Sequence, residues 1–248
     1  MKARMVEAGN GWQWIVSGFG LFRKAPLLWI ALTIVLVIIW MVSFAIPLLG
    51  PLLFNLLSPV LFAGLMLGCR AVDKGEELEF AHLLAGFHNN SVSLVTIGGV
   101  YLVGTIVVVG IIFVTTGGSM LPTVMQKAPG DLQMMADALR SLALALTIGL
   151  AIYVPLLMLI WFAPLLVVFE NLKPVDAMKA SFNACVVNWL PFLIYGLAIL
   201  VLWFIASIPL FLGLIVLLPV LICSVYASYT DMFPASPAPA AGGNRLLK

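Results

Sequence analysis

How far apart the charges lie limits this chain more than any other feature. Between Lys24 and Arg70 run 45 consecutive residues without Asp, Glu, Lys or Arg. Glu79 to Lys127 leaves 47, Arg140 to Glu170 leaves 29, and Lys179 to Asp231 leaves 51. A helix crossing a bilayer needs about 20 apolar residues. The first and last runs can each hold two such helices, and each is divided by a proline turn, Ile46-Pro47-Leu48-Leu49-Gly50-Pro51 and Ile208-Pro209-Leu210. The spacing predicts an all-α polytopic membrane protein. Its six spanning helices fall at about 27–46, 51–69, 92–116, 141–169, 190–207 and 210–230, paired as three hairpins.

Composition closes off the alternatives. Of 248 residues, 63% are hydrophobic and 9% charged, against about 25% charged in a soluble domain. Too few polar residues remain to coat a globule in water. No basic face exists for nucleic acid. Residues 1–232 read as a single transmembrane domain, and 233–248 as a disordered Pro/Ala tail.

Basic residues orient the bundle. With both termini on one side, the segments on that side hold Lys2, Arg4, Arg23, Lys24, Arg70, Lys74, Lys173, Lys179, Arg245 and Lys248. The other side holds Lys127 and Arg140. Lys and Arg in short loops mark the cytoplasmic face, so both termini are expected in the cytoplasm. No short apolar run with a small-residue cleavage site precedes the first helix, which is expected to stay in the mature protein.

Three segments on that face are too polar to span yet amphipathic. Trp12, Ile15, Val16, Phe19 and Phe22 recur at helical spacing, flanked by Arg23 and Lys24. Phe80, Leu83, Leu84 and Phe87 follow three glutamates. Val175, Met178, Phe182, Val186 and Trp189 follow Asn171, a candidate N-cap, and Pro174, with Lys173 and Lys179 alongside. Each is expected to lie at headgroup depth, where aromatic rings are favoured. Trp12, Phe19, Arg23, Lys24, Lys173, Lys179, Phe182 and Trp189 are the candidate lipid-interface residues.

The even-numbered spans each carry a proline, at Pro59, Pro164 and Pro219. Proline lacks a donor and crowds the carbonyl four residues back, so each is expected to kink its helix. The freed carbonyls, of Asn55, Ile160 and Ile215, need partners inside hydrocarbon. The chain thus reads as three units of interfacial helix, spanning helix and kinked helix, at about 10–72, 73–170 and 171–232. The alternative is three chance matches among prolines common in membrane helices.

Chemistry is sparse. His82 and His88 lack a third ligand at metal spacing. Cys69, Cys185 and Cys223 form no Cys-x-x-Cys and read as free buried thiols. Met120, Met125, Met134 and Met135 sit in the external segment 117–140 without the repeats of a Cu(I) site. Gly64 and Gly68 suit close helix packing. No nucleotide, hydrolase or metalloprotease motif occurs, so no cofactor, metal or catalytic residue is expected. No charge sits at membrane depth, unlike most proton-coupled transporters. Asn55, Ser58, Pro59, Pro164 and Pro219 are left as candidates, for satisfying the kinks or for lining a substrate path.

Three stretches carry a family resemblance: Gly18-Phe19-Gly20-Leu21-Phe22-Arg23-Lys24-Ala25-Pro26-Leu27, the Ile46 to Pro51 turn, and Leu67-Gly68-Cys69-Arg70. They resemble an uncharacterised family of six-helix inner-membrane proteins from betaproteobacteria, and the layout is similar to YciC-type membrane proteins. The resemblance implies a bacterial inner-membrane location and brings no activity with it. The expectation is a non-enzymatic multi-pass protein that organises membrane lipid or protein partners in the envelope. A small transporter or channel for a neutral or apolar solute is the alternative, and a lipid enzyme the third.

Overall fold

The computed structural model describes residues 3–126 and 132–234. Met120, Met125 and Met134 fall outside its described side chains, and the tail from residue 235 lies wholly outside it. Ten α-helices occur among the described residues, with no strand: α1 Asn10–Lys24, α2 Pro26–Ser43, α3 Leu49–Asp73, α4 Ala85–His88, α5 Ser91–Gln126, α6 Leu132–Ile160, α7 Ala163–Glu170, α8 Pro174–Val187, α9 Trp189–Ser207 and α10 Leu214–Met232. A 3-10 turn, Phe80–Leu84, precedes α4. Six stretches are long and apolar enough to span: α2, α3, the first part of α5, α6 with α7, α9 and α10.

Local chemistry sets the joints. Ala25 alone parts α1 from α2, because a residue before proline is pushed out of the helical region, and here it sits at φ −146° and ψ 61°. The two proline turns share a device. Leu48 and Leu210, each just after the turn proline, adopt φ 65° and φ 51°, and Phe211 adopts φ 64°. That left-handed turn is why the last span begins at Leu214 and not near 210.

Each amphipathic segment docks on a different hairpin. α1 packs on α9 and α10, the 3-10 turn and α4 pack on α3, and α8 packs on α5, α6 and α7. The apolar stripes read from sequence are displaced from the faces that pack. α1 buries Gly11, Trp14, Ile15, Gly18, Leu21 and Phe22, leaving Trp12, Val16 and Phe19 facing outward. α8 buries Ala177, Met178, Ser181, Ala184 and Cys185, leaving Val175, Phe182 and Val186 outward. Ile15, Phe22 and Met178 therefore belong to the core and not to the lipid stripe. In the middle segment Leu83 is buried, while Phe80, Leu84 and Phe87 are exposed.

Small residues carry each docking. A Cβ on Gly18 would lie 2.7 Å from the Val220 carbonyl oxygen and 2.6 Å from the Ser224 nitrogen. A Cβ on Gly86 would lie 2.1 Å from the Val60 oxygen and 3.3 Å from the Gly64 nitrogen. Both are backbone, which cannot move aside, so only glycine fits. In α8 the residue at this point is Ser181. Its hydroxyl donates to the Met158 carbonyl at 2.7 Å and accepts from the Phe162 N–H at 2.9 Å.

That serine explains the break in the fourth predicted span. Phe162 N–H and Met158 C=O are four residues apart, so an unbroken helix would pair them with each other. The Ser181 hydroxyl stands between them, and a side chain inserted into the ladder bends a helix. The chain leaves the helix at Trp161-Phe162 and restarts at Ala163. Pro164 does not kink a helix as expected. It opens α7, in the first turn where its missing N–H has no duty. Pro59, Pro155 and Pro219 lie in the interiors of α3, α6 and α10.

Candidate functional site

The backbone oxygen that Pro59 frees is satisfied within its own helix. The Ser58 hydroxyl donates to the Asn55 carbonyl at 3.0 Å, the oxygen that Pro59 leaves unpaired. The Asn55 amide donates to the Pro51 carbonyl at 2.9 Å. A cavity of about 320 Å³ lies beside this kink, between α2, α3, α5, α6, α7 and α10. Ser58, Pro59 and Pro164 line it with Tyr101 and Trp161, and apolar side chains make up the rest. Asn55 and Pro219 do not line it. Tyr101 and Tyr153 share a hydrogen bond at 3.2 Å. The five candidates thus separate: three meet at one mostly apolar cavity, Asn55 serves its own backbone, and Pro219 lies buried in α10 beside the Gly18 contact.

The interface candidates divide in the same way. Trp12, Phe19, Phe182 and Trp189 are exposed, as an outward lipid-facing position requires. Arg23 shares their face of α1, its guanidinium 6.0 Å from the Phe19 ring centre. Lys24 turns the other way, donating to the Val72 carbonyl at 3.1 Å. It thereby caps the end of α3, where the helix dipole favours a cation. Lys173 precedes the first turn of α8 and Lys179 lies on its exposed side. Asn171 is not the N-cap of α8. It closes α7 at φ 53°, and its side-chain oxygen accepts from the Asn90 amide at 2.9 Å.

A polar network at the end of the bundle bearing Arg4, Lys24, Arg70 and Lys74 escaped the sequence reading. α3, α7 and α10 bring Asp73, Glu170 and Asp231 to this end. A carboxylate at a helix C-terminus faces the negative end of the dipole, so each needs donors. Tyr226 donates to Asp73 at 3.2 Å and Tyr229 to Glu170 at 3.1 Å. Asp231 accepts from the Asn10 amide at 2.7 Å, the Trp14 indole at 2.9 Å and the Arg4 guanidinium at 2.5 Å. Asn188, fully buried, accepts from the Val6 N–H and donates to the Arg4 carbonyl. These bonds hold residues 4–6 across the ends of α8 and α10. The Arg70 guanidinium lies 5.1 Å from the Phe169 ring centre. Two depressions, of about 680 Å³ and 320 Å³, share the wall formed by Asp73, Tyr226 and Thr230. The warning in the sequence was Glu170 and Asp231 at predicted helix ends, where they are disfavoured unless paired; Asp73 joins them because α3 runs four residues past its expected end.

The thiols are buried and free. Cys69 and Cys223 face each other across α3 and α10 with sulfurs 3.9 Å apart. Burial pushes the Cys185 thiol up to about 12. Among the described residues no group of three or more His, Cys, Asp or Glu could hold a metal ion. His82 is engaged locally, its Nδ1 accepting from the Glu79 N–H at 3.0 Å.

The chain is similar to a probable inner membrane protein of Burkholderia thailandensis. The two are 32% identical over 242 residues, which is 95% of this chain and 87% of that one. No protein-family model matches the chain, and no solved structure matches it.

Proposed function

The chain belongs to the same family as this Burkholderia inner-membrane protein, and from that premise we propose that it is a non-enzymatic organiser of envelope lipid or of protein partners. It is a multi-pass inner-membrane protein with six apolar spans. In this reading both termini are cytoplasmic, and the units 10–72, 73–170 and 171–232 are repeats, each docking its interfacial segment on another unit's hairpin. The reading is carried by the outward stripes of α1 and α8. Trp12, Val16 and Phe19 are exposed on α1 with Arg23 over the Phe19 ring, and Phe182 and Val186 are exposed on α8, which also bears the exposed Lys179 and follows the exposed Lys173; no ion pair among the described residues engages these cations. That pattern matches the boundary between acyl chains and anionic headgroups. The bonds of Asn55 and Ser58 to their own helix also favour this reading.

Reconstitution tests the reading. In vesicles mixing phosphatidylglycerol with phosphatidylcholine, spin-labelled phosphatidylglycerol should be enriched in the immobilised lipid around the protein. The triple change Arg23→Gln, Lys173→Gln and Lys179→Gln should lower that enrichment, and high salt should lower it in the unmodified protein. Equal immobilisation of both lipids would overturn the reading. A second reading, passage of a neutral or apolar solute, draws on the 320 Å³ cavity with Ser58 and Tyr101 on its wall. Cysteine at position 58, in a chain lacking its three native cysteines, would then react with an impermeant thiol reagent. No reaction is expected.

A further inference from the structure

Beneath α1 the outer halves of α9 and α10 part to leave a groove of about 480 Å³. Trp12, Val16 and Phe19 of α1 form its roof, and Leu202, Ile205 and Val216 are among its walls. No charged side chain lines it. Arg23 stands one turn beyond Phe19, over its ring. The one ion pair among the described residues is Arg4 with Asp231, so no acid there neutralises Arg23. Its neighbour Lys24 is already engaged with the Val72 carbonyl and lines the polar depression on the other side of α1. The helix therefore separates its two cations, sending one to the protein and one to the apolar groove.

We propose that this groove binds one acyl chain of an anionic phospholipid whose phosphate pairs with Arg23. The assignment rests on the lipid-organising reading and gives it a place. A groove with an apolar lining open to hydrocarbon accepts a chain from any phospholipid. A single unneutralised guanidinium on the groove's own face of α1 is what selects a headgroup with net negative charge. Guanidinium groups pair with phosphate bidentately, and a basic residue at an anionic membrane surface is worth about fivefold in affinity. Phe19 holds the guanidinium from below.

Quenching of Trp12 by brominated acyl chains tests this. Full-length protein is reconstituted in phosphatidylcholine vesicles containing a minor fraction of brominated phosphatidylglycerol or brominated phosphatidylcholine. The Trp12 signal is the difference between the native protein and Trp12→Phe. Brominated phosphatidylglycerol should quench it at about one fifth of the mole fraction that brominated phosphatidylcholine needs. Arg23→Gln should bring the two lipids level, and Arg23→Lys should keep most of the preference. Val216→Trp, which fills the groove, should lower quenching by both. Equal quenching in the native protein, or a preference unchanged in Arg23→Gln, would overturn the site. If spin-labelled phosphatidylglycerol is still enriched around the whole protein in that case, the site fails and the lipid-organising reading stands. If that enrichment is missing too, both fall.

Discussion

Ser181 offers a measurement in which the usual order of two substitutions should reverse. In the interior of a helix glycine is less stable than alanine by about 0.5–1 kcal/mol, and Ser181 lies in the interior of α8. Here the neighbouring backbone decides. An alanine methyl at 181 would still hold α8 away from α6, as the serine does now, but would offer no hydroxyl. Phe162 N–H would then be buried without a partner, at about 1–3 kcal/mol, and Met158 C=O would keep only the weak thiol donor of Cys185 at 3.8 Å. Ser181→Ala should therefore cost about 2 kcal/mol, most of it from the orphaned Phe162 N–H.

Ser181→Gly should cost less. A glycine lets two helices close in, as Gly18 and Gly86 do on α10 and α3. Phe162 N–H can then return to Met158 C=O and rejoin α6 to α7. Two side-chain bonds are lost, at about 0.6 kcal/mol each in a membrane protein. A backbone bond of about 0.5–1.5 kcal/mol is regained, and the glycine penalty is added. The net loss is about 1 kcal/mol. Unfolding titrations in mixed detergent give the ranking, and backbone carbon shifts of Trp161 and Phe162 report whether the break closes. Alanine equal to or better than glycine, or a break that persists in the glycine variant, would refute the claim that the serine hydroxyl holds the helix apart.

Three further outcomes follow from the same geometry. Asp231→Ala should destabilise the fold by about 3 kcal/mol, since hydrogen bonds from Trp14 and Asn10 to a charged acceptor are worth about 1.5–3 kcal/mol each, while the exposed Arg4 adds at most about 1; a loss below 1 kcal/mol in detergent unfolding would deny Asp231 its anchoring role. Cys185 should resist alkylation in the native protein at pH 8, because burial raises its thiol to about 12 from an ordinary 9.0. The neutral thiol is the form the fold favours, so this contribution is complete below pH 9 and is lost as pH rises through 12, and stability measured across that window should fall faster in the native protein than in Cys185→Ala. Reporter fusions after residues 80, 180 and 245 should read cytoplasm and one at 128 periplasm; a periplasmic signal at 180 would discard the orientation.

Spans were legible because hydrocarbon tolerates no exposed charge, and charge-free length is a property of sequence alone. Docking faces were less so. Hydrophobic periodicity finds a helix's apolar side, but α1 and α8 have two such sides, one packed against protein and one exposed. The protein side is marked by what it lacks. Gly11, Gly18, Ala177 and Ser181 register weakly on any apolar scale, yet they sit where helices touch. A pattern of small residue followed by phenylalanine, at Gly18-Phe19, Gly86-Phe87 and Ser181-Phe182, stood in the sequence and could have marked all three contacts. The proline pattern placed Pro59 and Pro219 inside their helices but misread Pro164, because an inserted hydroxyl from 19 residues away in sequence leaves no local trace.

The charge-free spans and the crowded basic end are two sides of one constraint. A bundle whose helices bury only apolar surface against one another in lipid has little to fix their rotation or register, since hydrocarbon solvates those faces as well as a neighbouring helix does. Directional contacts are needed, and this chain places several where charge is tolerated. Asp73, Glu170 and Asp231 terminate three different helices, and their donors come from elsewhere: Tyr226 from α10 to α3, Tyr229 from α10 to α7, Trp14 from α1 to α10. α10 therefore bonds to both other acid-bearing helices and is itself held by α1. Residues 4–6 extend the same tie to Asn188 at the start of α9. The first and last described segments are thus bonded at one end of the bundle, which fixes the mutual register of the hairpins while leaving the outward rings of α1 and α8 exposed.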